Sequence, residues 1–143
     1  MKINISKKKN LLTSMLRIRA IEETIAKKYS EEKMRCPIHL SVGQEAVAVG
    51  ICSNLNKKDS IVTAHRSHAH YLGKGGELIK LFDELHGLKS GCSGGKGGSM
   101  HLIDENAGFI GSTAIVGNTI PIGVGLAEAQ KLSDENFVTY IFL

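Results

Sequence analysis

The sequence predicts an α/β protein built on a mainly parallel sheet. Three observations carry this. A short β-branched run, Ser60-Ile61-Val62-Thr63-Ala64, sits between two helical patterns and reads as a buried strand. Phe137 to Leu143 is a nearly continuous apolar run, the pattern of a central parallel strand covered on both faces. The order helix, helix, strand, helix, glycine-rich loop, helix, strand alternates the two kinds of element as an α/β architecture does.

The elements follow in chain order. From Asn10 to Met34, Leu11, Leu12, Met15, Leu16, Ile18, Ile21, Ile25 and Tyr29 recur with a period near 3.6, opposite a face of Lys, Arg and Glu; this predicts one long amphipathic helix. Residues 1–9 read as a basic tail before it, and Pro37 closes off any continuation. Ser41 with Gln44 three residues later is a capping-box pattern, opening a helix over about 43–55 whose small residues favour close packing. Leu78, Leu81, Phe82 and Leu85 define a short helix over 77–86. Residues 87–125 then hold 11 of the 16 glycines, and Ser90 to Ser99 is loop by composition. A helix is predicted from Thr119 to Lys131, with Pro121 in its first turn.

Composition narrows the function classes. The 143 residues suit one domain with a proper core. Residues 1–35 carry 10 Lys/Arg against 4 Glu, whereas the rest of the chain is slightly acidic, so the net charge of +4 belongs to one end. No basic stripe crosses the body, and with no Trp, 3 Tyr and 4 Phe there is no stacking platform; nucleic acid is not an expected partner. No apolar run is long enough to span a membrane and no secretory h-region follows Met1, so neither a membrane nor export is expected. Cys36, Cys52 and Cys92 form no CxxC pair and read as reduced cytoplasmic thiols.

Two motifs carry chemistry. The glycine loop fails as a phosphate-binding P-loop because Gly97 follows Lys96, and Gly123-Val124-Gly125 fails as a dinucleotide fingerprint because Glu128 stands where the last glycine belongs. It is either a free surface loop or backbone brought close to a ligand. His65-Arg66-Ser67-His68-Ala69-His70 follows the strand at 60–64 directly, at the carboxyl end where α/β sites gather. Three histidines could bind zinc, but Arg66 would repel a cation and no carboxylate or Cys completes the set. Arg66 with imidazole donors, His39 among them, suits a phosphate or diphosphate; structural histidines remain the other reading.

These residues carry a resemblance. His39-Leu40-Ser41-Val42-Gly43-Gln44-Glu45-Ala46, Thr63-Ala64-His65-Arg66-Ser67-His68, the run from Gly91 to His101 containing Gly97-Gly98-Ser99-Met100-His101, and Ala114-Ile115-Val116-Gly117 with the helix start from Pro121 to Gly125 occur in that order. Over roughly residues 10–143 the chain resembles the N-terminal portion of the alpha subunit of thiamine-diphosphate-dependent 2-oxo acid dehydrogenases.

The resemblance implies a three-layer α/β/α thiamine-diphosphate-binding fold. It places His39 near the cofactor diphosphate, Arg66 on it and His65 beside it, and sets the backbone at Ala114 and Val116 against the aminopyrimidine ring; the loop over 91–101 would be ordered. His65 stands where pyruvate enzymes often carry Tyr, and the His-Arg pair looks more like the acetoin branch. Ala114 and Ala69 each stand where a glycine is common.

The resemblance further implies oxidative decarboxylation of a 2-oxo acid, or cleavage of acetoin, with acyl transfer to the lipoyl group of a partner acyltransferase. It implies a heterotetramer with a beta subunit, which would supply the catalytic glutamate, so no catalytic residue is assigned in this chain. Magnesium would be held by a Gly-Asp-Gly motif with a later Asn, following the strand at 137–143; with no metal ligand before Leu143, the chain reads as a truncated piece of the domain. The alternative is an inactive remnant that at most binds a beta subunit.

Overall fold

A computed structural model describes residues 3–133 and 136–143. The elements are α1 (Ile5–Tyr29), α2 (Glu45–Cys52), β1 (Ser60–Thr63), α3 (His68–Lys74), α4 (Leu78–Leu85), β2 (Phe109–Ser112), α5 (Thr119–Leu132) and β3 (Thr139–Phe142). The sheet has the order β2-β1-β3, and both pairings are parallel. The expected α/β class and parallel pairing are therefore borne out.

β1 is central and buried along its length, and it divides two packing environments. Ile61 joins a core with Ile18, Ile21 and Ile25 of α1, Ala48 and Val49 of α2, Tyr71 and Leu72 of α3, Leu81 and Leu85 of α4, and Phe109 of β2. Its neighbour Val62 points the other way, as strand alternation requires, into a space shared with Ile122 of α5. α5 lies close on the sheet: a Cβ on Gly123 would sit 2.3 Å from Ile141 Cδ1.

Several expectations are corrected. α1 begins at Ile5, inside the stretch read as a basic tail, because the Asn4 side chain accepts the Lys7 N–H at 2.7 Å and caps it there. It ends at Tyr29 rather than Met34, where the chain turns over and Glu32 takes φ 55. Leu12, Leu16 and Tyr29 are exposed, while Glu22, assigned to the polar face, is fully buried.

The capping box at Ser41 does not form. The Ser41 hydroxyl donates to the Arg66 carbonyl and its N–H to Glu22, so neither serves the helix, and α2 starts at Glu45. The small residues do allow close packing of α2 on α3: a Cβ on Gly73 would lie 3.5 Å from both the Ala48 carbonyl and Cys52.

The strand expected in the centre, β3, is instead an edge of the sheet among the described residues, with Tyr140 38% exposed. Two elements were not anticipated. α3 grows out of the histidine cluster, and β2 lies within the glycine-rich stretch, paired to β1 across an irregular register between Ile61 and Val62.

Candidate functional site

Parallel pairing puts the carboxyl ends of all three strands on one edge of the sheet. His65 and Arg66 leave β1 there, and the turn carrying Ala114 and Val116 leaves β2 there. The segment between α1 and α2 brings His39 to the same place. The His39 and His65 rings meet edge to face, with centroids 5.1 Å apart at 87°. Arg66 is exposed and donates through its guanidinium to the Leu40 carbonyl; among the described residues it has no carboxylate partner.

The site is cationic and donor-rich. Burial first, then His39 and then Arg66, lower the pKa of His65, which favours its neutral form. His39 Nδ1 and His65 Nδ1 are both buried without a hydrogen-bond partner. Buried polar atoms are nearly always paired, and here two orphans lie beside a guanidinium whose partner is the neutral Leu40 carbonyl. The structure thus brings His39, His65 and Arg66 together. Ala114 and Val116 share their edge and are exposed, but no hydrogen bond joins them to the other three.

Of the remaining histidines, His68 is buried and bonded at both nitrogens, to Glu22 Oε1 and to the Ser99 hydroxyl, each at 2.9 Å, whereas His70 Nε2 is a third buried nitrogen without a hydrogen-bond partner. His70 donates from Nδ1 to the Arg66 carbonyl and packs on Phe142, and burial pushes its pKa down to about 4. The sign follows. Between pH 6.5 and about 4 the unfolded chain takes up a proton that folded His70 refuses, so stability is full above this window and is lost as pH falls through it. The loss amounts to about 3 kcal/mol. Urea denaturation at pH 7 and pH 4 should show a smaller fall in stability for His70→Gln than for the unaltered chain; equal falls would contradict it.

Besides Glu22, two carboxylates were missed in the sequence. Glu84, on α4 and buried, accepts four backbone N–H groups of the glycine loop: Ser93 at 2.7 Å, Gly95 at 2.9 Å, Gly97 at 2.7 Å and Gly98 at 3.1 Å. The free-loop reading is thereby corrected. The loop is wound around one carboxylate, and its glycines are needed for that winding. A Cβ on Gly97 would stand 2.0 Å from the His101 carbonyl oxygen. Gly97→Ala should therefore cost about 2–3 kcal/mol in a denaturation series, since backbone would have to move; a cost within error of zero would contradict the packing.

The second carboxylate is Glu45. Arg19 grips it through two nitrogens, at 2.7 and 3.1 Å, and this pairing holds its carboxyl down at about 2. The clamp ties α1 to the start of α2, just after the segment that carries His39.

The cysteines are free. Among the described residues no group of three or more His, Cys, Asp or Glu comes together as a metal site, and no helix is long and apolar enough to cross a membrane.

Comparison with known proteins adds the following. The family described as Dehydrogenase E1 component matches residues 13–143. A potato (Solanum tuberosum) protein named pyruvate dehydrogenase E1 component subunit alpha, mitochondrial, is 46% identical over 135 residues, covering 92% of this chain and 34% of the relative. The Arabidopsis thaliana subunit alpha-2 is 46% identical over 126 residues, covering 88% of this chain and 32% of the relative. The Rickettsia prowazekii subunit alpha is 43% identical over 129 residues, covering 90% of this chain and 40% of the relative. The chain thus spans about a third of the length of the curated relatives it matches.

Proposed function

The chain belongs to the dehydrogenase E1 component family, and on that premise we propose that its parent protein is the alpha subunit of a thiamine-diphosphate-dependent dehydrogenase that decarboxylates a 2-oxo acid. The observation that carries the proposal is the Arg66 guanidinium, bonded to the Leu40 carbonyl but to no carboxylate among the described residues, beside two imidazoles with orphaned nitrogens, at the sheet edge where the strands end. That set fits a diphosphate. A guanidinium matches phosphate geometry and charge, and imidazole N–H groups add further donors.

The assignments follow from this fit. Arg66, His65 and His39 hold the diphosphate, and the backbone at Ala114 and Val116 faces the ring end of the cofactor. When bound, thiamine diphosphate supplies the nucleophile and electron sink for loss of carbon dioxide. This chain binds and orients it. Glu84 holds the loop over 91–101 in one shape, so that the wall of the cleft does not have to order when ligand arrives. Magnesium is part of the proposal, but the described residues offer it no cluster of ligands, so no step is assigned to it.

We place the three strands, with α1–α4 packed on one side and α5 on the other, within a three-layer α/β/α domain that extends beyond this chain. The relatives' names favour pyruvate over acetoin as the substrate, against the inference from the His65-Arg66 pair. Their description as alpha subunits supports a beta-subunit partner in a heterotetramer and delivery of the acyl group to a lipoyl-bearing acyltransferase. Free thiols at Cys36, Cys52 and Cys92 suit a reducing compartment, and we infer a cytoplasmic location on that basis.

The test is direct. The parent protein, assembled with its beta subunit, should release carbon dioxide from pyruvate only when thiamine diphosphate and magnesium are present. It should do so faster than from branched-chain 2-oxo acids. Turnover independent of the cofactor, or none with any 2-oxo acid, would overturn the assignment.

A further inference from the structure

We propose that Glu22, His68 and Ser99 form a buried positioning relay that sets where His39 and Arg66 present their donors to the diphosphate. The inference rests on the diphosphate reading above and adds three residues that do not touch the ligand. All three are at most 1% exposed. They come from three distant parts of the chain: α1, α3 and the end of the glycine loop.

The hydrogen bonds run in one consistent direction. The His39 backbone N–H donates to Ser99 Oγ at 3.0 Å. The Ser99 hydroxyl donates to His68 Nε2 at 2.9 Å, and His68 Nδ1–H donates to Glu22 Oε1 at 2.9 Å. The other Glu22 oxygen accepts the Ser41 N–H at 2.9 Å. The relay therefore returns to the segment it started from and fixes it at both 39 and 41. A neutral His68 carrying its proton on Nδ1 satisfies every atom along this path.

Arg66 is tied to the same segment. Its carbonyl accepts the Ser41 hydroxyl at 3.2 Å, and its guanidinium donates to the Leu40 carbonyl. Ser67 follows, donating from its hydroxyl to the Ser99 carbonyl at 3.1 Å. A carboxylate and an imidazole sealed from water would be an expensive way to fill a core that leucine could fill. What they supply is direction: Ser99 and His68 each accept from one neighbour and donate to the next, and Glu22 ends the path by accepting from both His68 and Ser41. The anchoring groups are otherwise borne on loops, and loops hold a geometry only as well as their supporting shell does.

The test uses the assembled α/β enzyme, with calorimetric titration of thiamine diphosphate in the presence of magnesium. Ser99→Ala, which removes only the hydroxyl, should raise Kd about tenfold, the equivalent of one lost hydrogen bond. A solid-state 15N spectrum of histidine-labelled enzyme, with the His68 signals assigned by their loss in His68→Gln, should show the proton on Nδ1. In Glu22→Gln it should move to Nε2, because the single amide oxygen goes to Ser41 and the amide NH2 now donates to Nδ1. A purely structural network would weaken folding in these variants yet leave Kd unchanged in the folded fraction; that result, or a proton on Nε2 in the unaltered enzyme, overturns the relay. Arg66→Ala separates the two claims. If it weakens binding while Ser99→Ala does not, the relay alone fails; if neither weakens binding, the diphosphate reading fails with it.

Discussion

Replacing Arg66 by alanine is expected to raise the Kd for thiamine diphosphate about 100-fold in the assembled enzyme. The reason is charge. Hydrogen bonds from a guanidinium to phosphate oxygens contribute about 1.5–3 kcal/mol each, and about 2.7 kcal/mol corresponds to a 100-fold change in Kd. The neighbours cannot substitute. Burial, His39 and Arg66 itself all lower the pKa of His65, which favours its neutral form. Arg66 spends its guanidinium on no carboxylate among the described residues, so its charge is available to a ligand. Arg66→Lys should recover part of the loss but not all, because an ammonium keeps the charge without the planar fork that spans two oxygens. Calorimetry on the three proteins decides it. Lysine equal to arginine would mean that charge alone matters, and alanine equal to both would mean that the residue anchors nothing.

The second large effect is expected at Glu84. Four backbone N–H groups converge on its two oxygens, and they have no other acceptor. Removing the carboxylate leaves all four buried or half-buried donors unpaired, at about 1–3 kcal/mol each if none finds water. Partial rescue by solvent makes a total loss of about 4 kcal/mol a reasonable scale for Glu84→Ala, which exceeds most single substitutions. Glu84→Gln should be nearly as damaging despite its shape, because its amide NH2 would face donors where an oxygen is needed. Hydrogen exchange at Ser93, Gly95, Gly97 and Gly98 should accelerate together in both variants, since one group protects them all. Independent exchange at these four positions, or a loss under 1 kcal/mol by urea denaturation, would contradict this account of the loop.

Much of this was visible in the residues, for physical reasons that can be named. Ser60 to Ala64 reads as a strand, one residue longer than the observed Ser60–Thr63, because β-branched residues crowded together suit a pleated, buried backbone. The site followed from it, since groups just past the carboxyl end of a parallel strand converge at one edge. His65 and Arg66 were found that way, and His39 was joined to them as a further donor. The helix over 119–131 extended by a single residue, to Leu132.

What stayed hidden was of one kind. Glu22 and Glu84 are charged residues on helices, where exposure is the rule, and nothing local marks a carboxylate whose partners lie far along the chain. Ser41 looked like a helix cap because its spacing to Gln44 fits one, yet tertiary partners took both its hydroxyl and its N–H. β2 was lost among glycines because its four residues include Gly111 and little β-branched character. α3 was hidden because seven residues are too few to show a helical period, and because it buries two polar residues, His68 and His70. The edge position of β3 depends on what pairs beside it, which an apolar run does not encode.

The anchoring of a diphosphate by Arg66 with His39 and His65 is the claim on which the functional account stands. A crystal structure of the assembled enzyme with thiamine diphosphate and magnesium tests it most directly. The account predicts phosphoryl oxygens within hydrogen-bonding distance of the Arg66 guanidinium and of ring nitrogens of His39 and His65, with the cofactor's ring end toward Ala114 and Val116. A diphosphate bound elsewhere, with Arg66 still turned onto the Leu40 carbonyl and the two imidazoles still unpartnered, would contradict it.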